Sequence, residues 1–94
     1  MGKAIQTPEY ETAIKMYYAR TELTNDDIRA LFNGAISNTT IVRLKSIARK
    51  EMIKRDVYTW QPNNVNTKIA YEAWNLDINE IEKNYNKLKK MGLA

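Results

Sequence analysis

An all-α fold is what this chain of 94 residues predicts, and three observations predict it. Gly and Pro number only three and two, too few for the many tight turns of a small all-β domain. Long stretches are filled by Ala, Leu, Ile, Glu, Lys and Met, residues that lose little on entering a helix. Apolar residues recur at i, i+3, i+4 and i+7 rather than in alternation. At 44% hydrophobic and 28% charged, the composition suits one soluble domain with one modest core.

About five short helices follow in order from caps and period. Thr7-Pro8-Glu9 reads as a helix start, with Thr7 as N-cap and Pro8 at the first helical position. Tyr10, Ala13, Ile14, Tyr17 and Tyr18 then form one apolar face, and Thr21 to Leu23 break the helix. Thr24 caps a second helix with Asp27 as its capping-box acid. Its inward residues are Ile28, Leu31 and Phe32, and it stops at Asn33-Gly34, where glycine accepts the left-handed conformation of a helix end.

Ser37 caps a third helix that runs to about Arg55. At about 100° per residue, Ile41, Leu44, Ala48 and Met52 share one narrow sector and are the expected buried stripe. Thr39, Arg43, Ser46, Lys50 and Lys54 fall on the opposite side. Val42 and Ile53 lie on the flank and want a partner surface.

Asp56 to Asn64 is punctuated like a linker by Pro62-Asn63-Asn64. Val57 to Trp60 reads as a single short strand at most, and Trp60 is expected to pack between the two halves rather than stack on a base. A fourth helix is expected over 66–74 with Ile69, Ala70, Ala73 and Trp74 inward. Asp77-Ile78-Asn79-Glu80 is a capping box that opens a fifth. The fifth carries Ile78, Ile81, Tyr85, Leu88 and Met91 on one side, and Gly92 closes it. The chain thus divides into residues 1–56, a linker at 57–65, and a C-terminal helical pair at 66–94 that packs on the core or dimerises.

Several classes of chemistry are excluded. With no cysteine there are no disulfides, thiolate metal sites or thiol nucleophiles. With no histidine, the commonest general base and metal ligand is missing. Glu9/Glu11 and Glu80/Glu82 are spaced i, i+2, which points such carboxylates about 200° apart on a helix. No Gly-rich phosphate loop is present, so neither catalysis nor a cofactor is expected. The opening MGKAIQTPEY lacks an apolar signal core, and no apolar run approaches the roughly 20 residues of a membrane span. A cytoplasmic protein that does not enter membranes is expected.

The charge is focused. Between Arg43 and Arg55 six cations stand against the single acid Glu51, a local +5 that exceeds the net +4 of the whole chain. Such focusing suits a polyanion-binding surface. Ser37, Asn38, Thr39 and Thr40 at the start of the third helix, with Arg43, Ser46, Lys50 and Lys54 along its outer side, are the candidate contacts. Arg and Lys reach phosphates or guanine edges, and Asn pairs with adenine. The same face would also serve to dock an acidic protein.

Residues 24 to about 52 resemble the helix-turn-helix DNA-binding family. Ile28 and Ala30 in the first helix, Gly34 in the turn, Ile36-Ser37 at the entry to the second, and Thr40, Ile41 and Arg43 carry the resemblance. It implies that Ala30 is small where the helices cross and that Ser37 caps a helix lying in the major groove. Ala35 departs from the pattern as an extra turn residue. The resemblance further implies a sequence-preferring double-stranded DNA-binding protein acting as a homo-oligomer. It is similar to small bacteriophage or mobile-element proteins that serve as transcription regulators or as packaging and recombination accessories. Shifting the chain by forty residues aligns Ala30 with Ala70, Ile36 with Leu76, Ser37 with Asp77 and Ile41 with Ile81. Residues 67–92 therefore read either as a degenerate second copy, structural or dimerising more than DNA-reading, or as chance similarity between two amphipathic helix pairs.

Overall fold

Every helix begins on a side chain that accepts amide hydrogens otherwise left without a partner. The computed structural model describes residues 8–92. In chain order these form α1 (Tyr10–Ala19), β1 (Glu22–Leu23), α2 (Asn25–Leu31), α3 (Asn38–Lys54), β2 (Val65–Asn66), α4 (Thr67–Ala73) and α5 (Ile78–Lys90). The fold is all-α, with five helices and one two-residue antiparallel ladder among the described residues.

Thr24 and Asp27 make the expected reciprocal capping box on α2, and Ser37 caps α3 through the Thr40 amide at 3.2 Å. Asn66 caps α4. Two starts differ from the sequence reading. Glu9 caps α1, its carboxylate accepting from the Glu11 and Thr12 amides, while Pro8 precedes the helix and Thr7 lies outside the described residues. The Glu9 amide donates to the Leu31 carbonyl at 2.9 Å, and this tie to α2 delays the helix by two residues. Asp77 caps α5 through the Asn79 and Glu80 amides, but Glu80 makes no return bond among the described residues.

α2, α3 and α4 end alike. Asn33, Asp56 and Asn75 take left-handed backbone at φ 57°, 58° and 61°. The next amide then reaches five residues back: Gly34 to Arg29, Val57 to Met52 and Leu76 to Tyr71, at 2.8–2.9 Å. Gly34 (φ 73°) extends the first of these ends, and Gly92 (φ 76°) closes α5 as expected.

One core cluster gathers Ala13, Ile28, Leu31, Phe32, Ile41, Leu44, Ala48, Met52, Ile69, Ala70, Tyr71, Trp74 and Ile81. α3 packs chiefly on α4, and α5 on α1. Leu23 and Val65, both fully buried, pair in the ladder, so the two halves share this core across the 57–65 segment. Two buried polar groups fix its register. The Tyr71 hydroxyl donates to the Ala13 carbonyl at 2.7 Å, and Trp74 Nε1 donates to the Leu44 carbonyl at 2.8 Å. Burial pushes the Tyr71 phenol well above its ordinary pKa, with Tyr17 beside it adding to the shift.

Four expectations are corrected. Val57 to Trp60 is not a strand; the strands lie at Glu22–Leu23 and Val65–Asn66. Ala30 is exposed, because on a helix that buries Ile28, Leu31 and Phe32 it sits about 200° round from Ile28. Tyr18, 65% exposed, is outside the core and donates its hydroxyl to Glu82 on α5 at 2.7 Å. Trp60 does not pack between the halves: it is 93% exposed.

The forty-residue shift also needs revision. It holds for the second helix of each pair, where Ser37 and Asp77 are both caps and Ile41 and Ile81 are both buried. For the first helices the offset is forty-two, matching caps Thr24 and Asn66, ends Phe32 and Trp74, and left-handed Asn33 and Asn75. Ala70 therefore corresponds to Ile28, which is why it is buried and Ala30 is not.

Candidate nucleic-acid interface

α3 is the longest helix at 17 residues, yet it buries only Ile41, Leu44, Ala48 and Met52. These fall at steps of three and four, one stripe in register with α4 and the ladder. The side opposite this stripe faces outward. Thr39, Arg43, Ser46, Lys50 and Lys54 are all exposed, on the side the sequence assigns to them. Arg43 and Lys50 have no ion-pair partner among the described residues, whereas Lys54 Nζ lies 3.8 Å from Glu51, a separation at which an exposed pair contributes little.

The start of α3 is differently disposed. Ser37 Oγ is occupied by the cap and lies 3.1 Å from Thr40 Oγ1, so both hydroxyls serve the helix start. The Asn38 side-chain oxygen Oδ1 accepts from the Arg29 guanidinium of α2, which also stands 3.7 Å from Asp26. This link joins the two helices across the four-residue turn 33–36 and engages the Asn38 side chain. Thr39 alone of the four is both exposed and without a recorded hydrogen bond among the described residues. Arg29 escaped the sequence reading, since nothing in a lone arginine on a short helix marks it as a brace.

Two further cations support the surface instead of facing out from it. Lys45 Nζ donates to Asn25 Oδ1 at 2.9 Å, tying α3 to the first residue of α2. Desolvation, and then the nearby Arg49 charge, lower its pKa. Arg49 donates to the Pro62 and Asn64 carbonyls at 2.6 and 3.4 Å, fastening the 59–64 loop against α3.

The flank carries apolar groups among the cations. Val42 and Ile53 are 66% and 69% exposed, and with Lys45, Ser46, Arg49 and Lys50 they line a shallow groove of about 350 Å³. Ile53 also borders a neighbouring hollow whose walls include Met52, Val57, Tyr58 and Pro62. The sequence identifies Val42 and Ile53 as unpartnered, and they remain so. Tyr58, 77% exposed, escaped it.

Among the described residues no group of His, Cys, Asp and Glu is placed to hold a metal ion, and no helix is long and apolar enough to cross a membrane. What the face can do is bind: it offers spaced positive charge, hydroxyls and a few aliphatic contacts on a rigid rod. No protein-family model, curated protein or solved structure matches the chain.

Proposed function

We propose that this protein binds double-stranded DNA through the outer face of α3, as a helix-turn-helix protein. The observation that carries the reading is the outward alignment of Thr39, Arg43, Ser46, Lys50 and Lys54 on a helix that follows α2 across a four-residue turn. Thr39 and Arg43, in its first two turns, approach base edges; Lys50 and Lys54 lie further along and neutralise phosphates. Ser37, Thr40, Asn38 and Arg29 hold the angle at which α3 is presented. Specificity from so few base contacts calls for a homo-oligomer spanning two half-sites about 34 Å apart. The biological setting proposed is regulation, packaging or recombination in a phage or mobile element.

Titrating labelled protein with a random duplex and following backbone amide shifts tests the reading. Perturbations clustered on 39–54 are expected. Perturbations confined to α1 and α5 would refute it.

A second reading has its own observation in the exposed side chains of Val42 and Ile53. An acidic protein segment with apolar anchors would cover them while meeting the surrounding cations. It predicts binding that Val42→Ala weakens and that no duplex DNA competes for.

A further inference from the structure

Trp60 is the most exposed large apolar side chain among the described residues, at 93%, and Tyr58 two positions earlier is 77% exposed. Neither is displayed on a loose loop. The Glu22 carboxylate accepts from the Trp60 amide, from the Gln61 amide at 3.5 Å and from Asn64 Nδ2 at 3.1 Å. Thr59 Oγ1 donates to the Gln61 carbonyl at 2.7 Å, and Arg49 clamps the Pro62 and Asn64 carbonyls from α3. The Tyr58 hydroxyl is fixed on Asp56 at 2.9 Å. The backbone that carries these rings is thus pre-organised, and binding through them forfeits little loop entropy.

Location decides what such rings fit. Arg49 and Ile53 border both the loop's hollow and the groove along α3 that holds Lys45 and Lys50. A ligand running off α3 toward the loop meets cations first and then the Tyr58 ring in the wall of the hollow, with Trp60 exposed two residues further along the same clamped loop. An unpaired nucleotide answers to both, with phosphate for the cations and a base face for the ring. Paired bases do not, because their faces are covered inside the stack.

We propose that Trp60, flanked by Tyr58, is a stacking platform for an unpaired base adjoining the duplex on α3, so that the preferred ligand is a duplex with a single-stranded extension. This rests on the reading of α3 as a duplex-binding helix. Each stacked base typically strengthens binding by roughly tenfold or more.

The test compares a blunt duplex with the same duplex bearing a short thymine tail, against the full chain and its Trp60→Ala and Trp60→Phe variants. Wild type should hold the tailed duplex about tenfold more tightly, and the tail should quench the long-wavelength emission of solvent-exposed Trp60. Trp74, buried against Leu44, supplies an internal emission unaffected by the tail and reports that the variants are folded. Trp60→Ala should abolish the gain while leaving blunt-duplex affinity and its salt dependence unchanged, and Trp60→Phe should keep part of it. Equal affinity for both duplexes, or a tail effect that survives Trp60→Ala, overturns the platform while leaving α3 as a duplex reader. A shift of Trp60 emission on concentrating the protein alone assigns the ring to a contact between copies and overturns it too. Failure to bind either duplex removes the reading of α3 and the platform together.

Discussion

Ile41 and Val42 are consecutive residues of similar chemistry with opposite surroundings, 1% and 66% exposed, and truncating each to alanine should separate them sharply. Ile41→Ala deletes three buried carbon groups at about 0.8 kcal/mol each. The cavity left between α3 and its neighbours adds to this, for a total near 3 kcal/mol, within the usual range of about 2–5 for such truncations. Val42→Ala deletes two groups that are about one third buried, worth about 0.5 kcal/mol. The better helix propensity of alanine offsets that by a similar amount, so the net change is close to zero. For a domain of this size 1 kcal/mol corresponds to about 4–8 °C in Tm. Thermal unfolding followed by circular dichroism should thus show a fall of roughly 12–24 °C for Ile41→Ala and almost none for Val42→Ala. A comparable loss from both would mean that Val42 is covered in solution by another copy or that α3 is rotated. Either outcome would undo the outward placement of Arg43 and Lys50.

Three other outcomes follow from the geometry. Arg43→Ala should weaken binding to a preferred site by about 1–3 kcal/mol and blur one or two base positions; Lys50→Ala should weaken all sequences alike and flatten the salt slope by about one unit, both read by competition binding. Tyr71→Phe should lower stability by about 1 kcal/mol by leaving the Ala13 carbonyl without its buried partner, and chemical denaturation with an unchanged m-value checks this. The Trp60 amide foremost, then Asn64 Nδ2 and the Gln61 amide, donate to the Glu22 carboxylate and hold its pKa below its ordinary value against the opposing effect of desolvation. The stabilisation is therefore fully present above the ordinary carboxylate range and is lost as pH falls through the depressed value. Amide shifts of Trp60 and Asn64 should move together in that acid window and be absent from it in Glu22→Gln.

The helices and the buried stripe of α3 were legible because a 3.6-residue period over seventeen residues leaves one choice of face. The caps at Thr24, Ser37 and Asp77 are local chemistry and stand where the residue types place them. The two-residue strands were not legible, since two residues have no period; only the pairing of Leu23 with Val65 makes them strands. Tyr18 and Trp60 were misjudged for one reason. Burial at the edge of a face or in a connecting segment is set by what packs against it: the Tyr18 hydroxyl is bonded to Glu82 on α5, and Glu22 holds the Trp60 backbone amide while the indole stays exposed. Of the candidate contacts, the exposed side chains at 39, 43, 46, 50 and 54 lie on the expected face. Asn38 is engaged by Arg29, a contact between elements that spacing does not encode. The apolar side of the fifth helix, expected to pack on the core or dimerise, is partly used within the chain, where the Tyr85 hydroxyl donates to Glu11 on α1 at 3.1 Å. Met91 remains 62% exposed.

The central claim, that α3 is a duplex-binding surface, is tested most directly by measuring affinity for a random duplex across a salt series. With four or five phosphates neutralised, the plot of log affinity against log salt should fall with a slope of about −4, and Lys50→Ala should reduce its magnitude by about one. A flat response, or no binding at low salt, would contradict the account and leave the cationic face to a protein partner.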